Sequence, residues 1–246
     1  MNFKRTLLAA CSLLAALHAV AGPTATWTTN DSHTYANTNG FESTGTLADN
    51  TVLTNQFAAQ GIVFSGTARA NGCGPTPNTG WSQFGMAGQN YVNTFGPSCS
   101  TNNVQDTLSM KFNSDLSRLA FDAYSYQSGY ADSLVQLFDD GFLVASYTLG
   151  SVGFNDLALN AQKTAGSRYY YNTDNTRYGT LVFDANGSKF DELRFVESAT
   201  GAGNGDYVFL DNVRFDTANS VPEPTALALT AVALAACARV RRRKAA

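Results

Sequence analysis

Residues 133–149 read SLVQLFDDGFLVASYTL. Two runs of apolar and β-branched residues flank Asp139-Asp140-Gly141, and the glycine supplies the positive φ that a tight reversal needs. The stretch is predicted to be a β-hairpin. The same punctuation recurs in residues 177–198, RYGTLVFDANGSKFDELRFVES, which predict a second hairpin turning at Asn186-Gly187. Residues 206–215, DYVFLDNVRF, predict a final strand. Leu119, Phe121 and Ala123 alternate with Ala120, Asp122 and Tyr124, the period of a strand with two unlike faces. No segment of residues 22–220 carries a capped 3.6-residue period. Together these signals predict an all-β domain of about nine to eleven strands, arranged as a two-sheet antiparallel sandwich.

Both ends stand apart from that pattern. Residues 1–22 read MNFKRTLLAACSLLAALHAVAG. Lys4 and Arg5 precede an uncharged, mostly apolar run from Leu7 to Val20, and Ala19-Val20-Ala21 supplies small residues before a cleavage point after Ala21. This is the order of a secretory signal peptide, residues 1–21. An uncleaved anchor competes with it, as does a lipoprotein box at Leu8-Ala9-Ala10-Cys11. The box would leave few apolar residues ahead of its cysteine. At the other end, residues 224–238 are uncharged. As a helix they would span about 22 Å against a hydrocarbon core of about 30 Å, short for a permanent span. Arg239, Arg241, Arg242, Arg243 and Lys244 follow and would stay on the cytoplasmic side. Residues 22–216 are the domain and 217–220 a linker.

Setting the ends aside changes the charge. Residues 22–220 keep 18 of the 19 acidic residues but only 9 of the 16 basic ones, so the domain carries −9 rather than −3. Such a surface argues against nucleic acid and against anionic membranes as partners. Cys73 and Cys99 are the only cysteines in residues 22–220. In an oxidising compartment they are expected to pair, closing a loop of 27 residues worth about 3–4 kcal/mol. That bridge would restrain the glycine-rich excursion over residues 71–102.

Val221-Pro222-Glu223-Pro224, a short apolar segment (225–238) and a basic end (239–246) together resemble the PEP-CTERM sorting signal. The resemblance implies recognition by an exosortase, processing near Pro-Glu-Pro, and a Gram-negative-type bacterium that makes extracellular polysaccharide. It implies export with signal peptidase, transient inner-membrane anchoring, then delivery to the cell surface or matrix. A second resemblance rests on residues 50–66, NTVLTNQFAAQGIVFSG, and on YVFLDNVRF at 207–215. These resemble exported jelly-roll domains that precede such signals, which are themselves similar to carbohydrate-binding modules.

Candidate chemistry is sparse. Tyr207, Phe209, Asp211, Val213 and Phe215 would share one face of an ideal strand, and a carboxylate on an apolar face needs a cation or several donors. The jelly-roll resemblance implies a structural calcium at Asp211 with Glu42, helped by backbone carbonyls and Asn204 or Asp206. The alternative sets Val208 and Leu210 toward the core and Asp211 toward solvent or a bulge. His33 is the only histidine in residues 22–220, and no Gly-x-Ser-x-Gly or His-Glu-x-x-His pattern is present. Asp139-Asp140 and Asp191-Glu192 read as turn and solvated-edge residues, though facing carboxylates for glycoside hydrolysis are not visible in sequence. Trp81, Tyr91, Tyr124, Tyr126, Tyr130, Tyr169, Tyr170 and Tyr171 are the candidate sugar platforms. The sequence therefore predicts a non-enzymatic exported protein associated with extracellular polysaccharide. A carbohydrate-binding module and a carboxylate-based polysaccharide hydrolase are the alternatives.

Overall fold

The computed structural model describes residues 21–28, 31–45, 47–48, 50–71, 90, 92–93, 107–125, 133–153, 177–196 and 208–218. Residues 1–20 of the expected signal peptide, Cys73, Cys99 and the expected sorting signal with its apolar segment lie outside them. The described residues form twelve strands: β1 (Thr24–Thr28), β2 (Asn37–Asn39), β3 (Thr51–Val52), β4 (Ile62–Gly66), β5 (Arg69–Ala70), β6 (Val92–Asn93), β7 (Thr107–Ser125), β8 (Leu134–Asp139), β9 (Phe142–Thr148), β10 (Arg177–Asp184), β11 (Phe190–Val196) and β12 (Val208–Thr217). Short 3-10 turns are the only helical elements among them, and no described helix is long and apolar enough to cross a membrane.

Every strand pairing is antiparallel, and the 19-residue β7 organises them. Its first half pairs with β4 and β11, and β8 and β9 continue beyond β11. Its second half pairs with β10 and β12. β1 lies beyond β10, whereas β2, β6, β5 and β3 lie on the far side of β12. Both stretches feed one core that includes Leu108, Met110, Leu119, Phe121, Leu137, Phe183 and Phe195. Phe112 meets Phe215 at 5.1 Å and Tyr147 meets Phe183 at 6.5 Å between ring centroids. These contacts join residues from opposite stretches.

The hairpin read in residues 133–149 is present: β8 and β9 pair around Asp140 and Gly141, whose φ values are 50° and 82°. The second predicted hairpin is not. β10 and β11 both run antiparallel to β7, so the chain keeps its direction from residue 177 to 196. Asn186 and Gly187 do turn, with φ of 51° and 88°. Their turn bulges out over β7 where its register passes from Arg118↔Asp184 to Leu116↔Phe190. Positive φ at an Asn-Gly pair dictates a tight local turn, but the strand already waiting on either side decides whether it reverses the chain.

One glycine is obligatory for close approach. Gly66 ends β4 at φ +77°, and a Cβ there would sit 1.9 Å from the Thr107 carbonyl oxygen at the start of β7.

Candidate functional site

Alternation along β7 sets Arg118, Ala120 and Asp122 on the face opposite Leu119, Phe121 and Ala123. Register partners share a face, so β10 adds Thr180 and Asp184 to this outer surface. β12 adds Asp211, Arg214 and Asp216. The ladder slips between Asp211 and Arg214, where Asn212 takes φ 49°. This bulge overturns the single apolar face expected for residues 207–215. Leu210, Val213 and Phe215 enter the core, and Asp211 faces outward beside Asp122. Leu210 in the core with Asp211 at a bulge matches the alternative reading, although Asp211 is 1% exposed and does not face solvent.

Asp122, 6% exposed, is the hub. Its Oδ1 accepts from Thr180 Oγ1 at 2.9 Å and from Arg214 Nη2 at 2.8 Å, and its Oδ2 accepts from Asn212 Nδ2 at 3.0 Å. A desolvated carboxylate requires donors in this number, and one of them is cationic. Asp211 Oδ1 accepts the Asn212 N–H at 2.7 Å.

Residues 31–36 lie against this surface. Tyr35 Oη donates to Asp31 Oδ2 at 2.6 Å and accepts from Arg118 Nε at 3.3 Å. Arg118 Nη1 donates to Asp184 Oδ2 at 2.7 Å. His33 packs edge-on against Tyr35 at 4.6 Å, and its Nε2 lies 2.7 Å from Asp216 Oδ2. The Ala36 N–H donates to Asp216 Oδ1 at 2.7 Å. Burial pushes the Tyr35 phenol up to about 12; the Asp31 carboxylate adds to the rise and Arg118 opposes it. Tyr35 is therefore a neutral, oriented hydroxyl throughout the physiological range. The surface alternates fixed donors and acceptors beside two rings.

The residues singled out from sequence fall elsewhere in part. Glu42 is exposed, and its Oε1 accepts the Asn90 N–H at 2.8 Å. No group of three His, Cys, Asp or Glu among the described residues is placed to hold a metal. Around Glu42 the structure instead builds a buried asparagine network that sequence reading missed. Asn90 Nδ2 donates to the Phe41 and Gly45 carbonyls, Asn71 Nδ2 donates to Asn90 Oδ1, and Asn93 Nδ2 donates to the Asn71 carbonyl. Asn39 Oδ1 accepts the Phe41 N–H at 2.8 Å, holding Phe41 in the left-handed region at φ 62°.

Asp139 and Asp140 occupy the hairpin turn as expected. Asp191 and Glu192 are not solvated: they are 7% and 6% exposed. Asp191 accepts the Asp140 N–H and lies 3.3 Å from Lys111 Nζ. Glu192 accepts from Ser109 Oγ at 2.6 Å and Arg194 Nε at 2.5 Å. Burial pushes the Glu192 carboxyl up, but those bonds and the Arg194 and Lys111 charges outweigh it and hold the group below its ordinary value. Trp81, Tyr91, Tyr126, Tyr130, Tyr169, Tyr170, Tyr171, Asn204 and Asp206 lie outside the described residues, as does the Tyr124 side chain.

Alternation around Leu119-Phe121-Ala123 was the one sequence signal that could have nominated Arg118 and Asp122. Nothing in sequence brings Asp31, Tyr35, Asp184 and Arg214 to them.

No family model matches the chain, and no curated protein matches it. Among solved structures, the K2 cleaved adhesin domain of Lys-gingipain is similar at 15% identity and TM-score 0.40, covering 73% of this chain and 98% of that one. TmCBM61, solved with β-1,4-galactotriose, is similar at 12% identity and TM-score 0.29, covering 70% and 100%. The catalytic unit of a GH87 α-1,3-glucanase from Streptomyces thermodiastaticus is similar at 14% identity and TM-score 0.33; this chain spans 26% of it.

Proposed function

We propose that this protein is an exported, non-enzymatic β-domain that binds carbohydrate through the outer surface of β7, β10 and β12. The observation that carries this reading is the array of Tyr35, Arg118, Asp122, Asp184, Arg214 and Asp216. Around the buried Asp122 it presents the partly exposed groups of Tyr35, Arg118, Asp184, Arg214 and Asp216, already fixed by one another, next to the His33 ring. Preorganised donors and acceptors lose little entropy on meeting a sugar, and an aromatic ring offers an apolar platform for its C–H face. Retention in native gels containing dissolved polysaccharide tests the binding. A chain whose mobility is unchanged by every neutral and acidic polysaccharide tried is not a carbohydrate-binding domain.

The ends of the chain support the routing. Residues 1–21 would direct export, and Val221, Pro222, Glu223 and Pro224 with the basic end would present the chain to an exosortase at the inner membrane. The domain would then reside at the cell surface or in the polysaccharide matrix. Fractionation tests this: accumulation of full-length chain in the cytoplasm would contradict it.

Three finer proposals accompany it. The two stretches joined by β7 are the two layers of a jelly-roll-like sandwich, a reading supported by the Tyr147–Phe183 and Phe112–Phe215 contacts. Cys73 and Cys99 form a disulfide, which non-reducing peptide mapping would detect. Asp211, buried beside Asp122, is the residue to anchor a structural calcium, with Glu42 the proposed second carboxylate. A chelator that leaves the melting temperature unchanged removes the calcium proposal, because binding to the folded state must raise stability.

A further inference from the structure

The turn between β10 and β11 has the sequence Asn186-Gly187-Ser188, an Asn-x-Ser acceptor pattern for N-linked glycan. The sequence repeats that pattern only at Asn30-Asp31-Ser32, and Asn30 lies outside the described residues. Asn186 and Gly187 are both exposed. The turn is held from below: the Ala185 N–H donates to the Ser117 carbonyl, the Ser188 N–H to the Ala185 carbonyl, and the Asn186 N–H to Asp184 Oδ1 at 2.8 Å. The reactive amide is thus displayed on a rigid bulge rather than on a strand. Its Nδ2 donates to the Gly22 carbonyl at 3.0 Å and to Thr24 Oγ1 at 3.2 Å, at the very start of β1. Space is open there, since a Cβ at Gly22 would meet nothing within 4 Å.

We propose that Asn186 is a glycosylation site, modified by an oligosaccharide carried on a lipid pyrophosphate. Asn186 Nδ2 forms the new bond to the anomeric carbon of the first sugar. The bond from that carbon to the pyrophosphate breaks, the lipid pyrophosphate leaves with the electron pair, and the amide gives up one proton to a base. The glycosylated amide keeps one N–H, so it retains a single donor for the Gly22 carbonyl or Thr24 Oγ1 and loses the other contact. The sugar would then stand beside the first strand, two residues along the chain from Asp184 at the edge of the Tyr35 surface. The proposal rests on export, since acceptors of this kind are read on exported chains.

The test is peptide mapping of full-length protein purified from the cells that make it, after fractionation has shown where it resides. Trypsin cuts after Arg177 and Lys189, releasing residues 178–189 with Asn186 and Ser188 together. In exported protein that peptide is expected to carry an oligosaccharide mass. Asn186→Gln and Ser188→Ala should abolish it, and Ser188→Thr, which keeps the hydroxyl, should restore it. An exported chain whose peptide is unmodified, or bears only a deamidated Asn186, overturns the proposal while leaving export intact. A chain found only in the cytoplasm overturns the export reading itself.

Discussion

The two halves of β7 carry two different kinds of polar surface. On the first half, Glu192 is bonded to Arg194, two residues away on the same strand, and to Ser109 on the adjoining strand. Arg194 lies 3.9 Å over the Phe138 ring. These are near-neighbour contacts, with Val63 left 42% exposed across the ladder from Lys111. On the second half, Asp122 gathers partners from β10 and β12, and residues 31–36 close over Arg118. Separation in sequence does not distinguish the two, since Ser109 and Glu192 are 83 positions apart, as are Tyr35 and Arg118; what differs is that Tyr35 comes from a segment outside the strands. A network made by neighbours stabilises a sheet locally. One closed over by a segment from outside the strands fixes a particular surface, and such a surface can recognise something.

Gly66→Ala puts the largest strain on the first half. A Cβ placed against the Thr107 carbonyl cannot be accommodated without moving β4 off β7. The expected cost is about 3 kcal/mol or more, or failure to fold, read from the denaturation midpoint. A loss under about 1 kcal/mol would mean that β4 is not packed there.

Asp122→Ala strikes the second half. It strips Arg214, whose side chain is 25% exposed, of its carboxylate and leaves Thr180 and Asn212 without their acceptor. Breaking a fully buried pair costs about 3–5 kcal/mol, and the partial exposure lowers the expectation to about 2–3 kcal/mol. The matching change on the first half, Glu192→Gln, should cost only about 1 kcal/mol at neutral pH. It should also flatten the acid limb. The Glu192 carboxyl is held below its ordinary value, so its contribution is complete above the ordinary carboxylate range. That contribution is lost as pH falls through the lowered folded value. Stability curves that fall equally in acid for wild type and variant would contradict this. The smallest effect belongs to Tyr35→Phe, about 0.5–1 kcal/mol. Because the folded phenol is raised to about 12, its contribution is whole below the unfolded value and disappears as pH rises through about 12. Phenolate absorbance should show one fewer late-titrating tyrosine in the variant than in the wild type, because burial also raises Tyr147.

How far the sequence could be read differs between these regions. The turns at Asp140-Gly141 and Asn186-Gly187 have nearly the same φ values, yet only the first makes a hairpin. Composition and turn chemistry announce a positive φ; they do not announce that β7 is long enough to hold β10 and β11 end to end. The all-β class followed from short-range alternation and was legible. The outward position of Asp211 was legible only as an alternative, Leu210 inward and Asp211 toward solvent or a bulge, because one bulge at Asn212 exchanges the faces of every residue before it. The Tyr35 surface was hidden for a related reason: it is made of pairs separated by 4 to 183 positions, and no local pattern encodes them.

The most direct test of carbohydrate recognition by the second half compares two arginine variants in native gels cast with dissolved polysaccharide. Arg118→Gln removes a donor from the Tyr35 surface, and Arg194→Gln removes the equivalent charge from the first half. Wild type should be retarded by at least one polysaccharide. Arg118→Gln should weaken that retardation about tenfold or more, equivalent to about 1.4 kcal/mol, and Arg194→Gln should leave it unchanged. Retardation lost in Arg194→Gln but kept in Arg118→Gln, or absent from the wild type altogether, would contradict it.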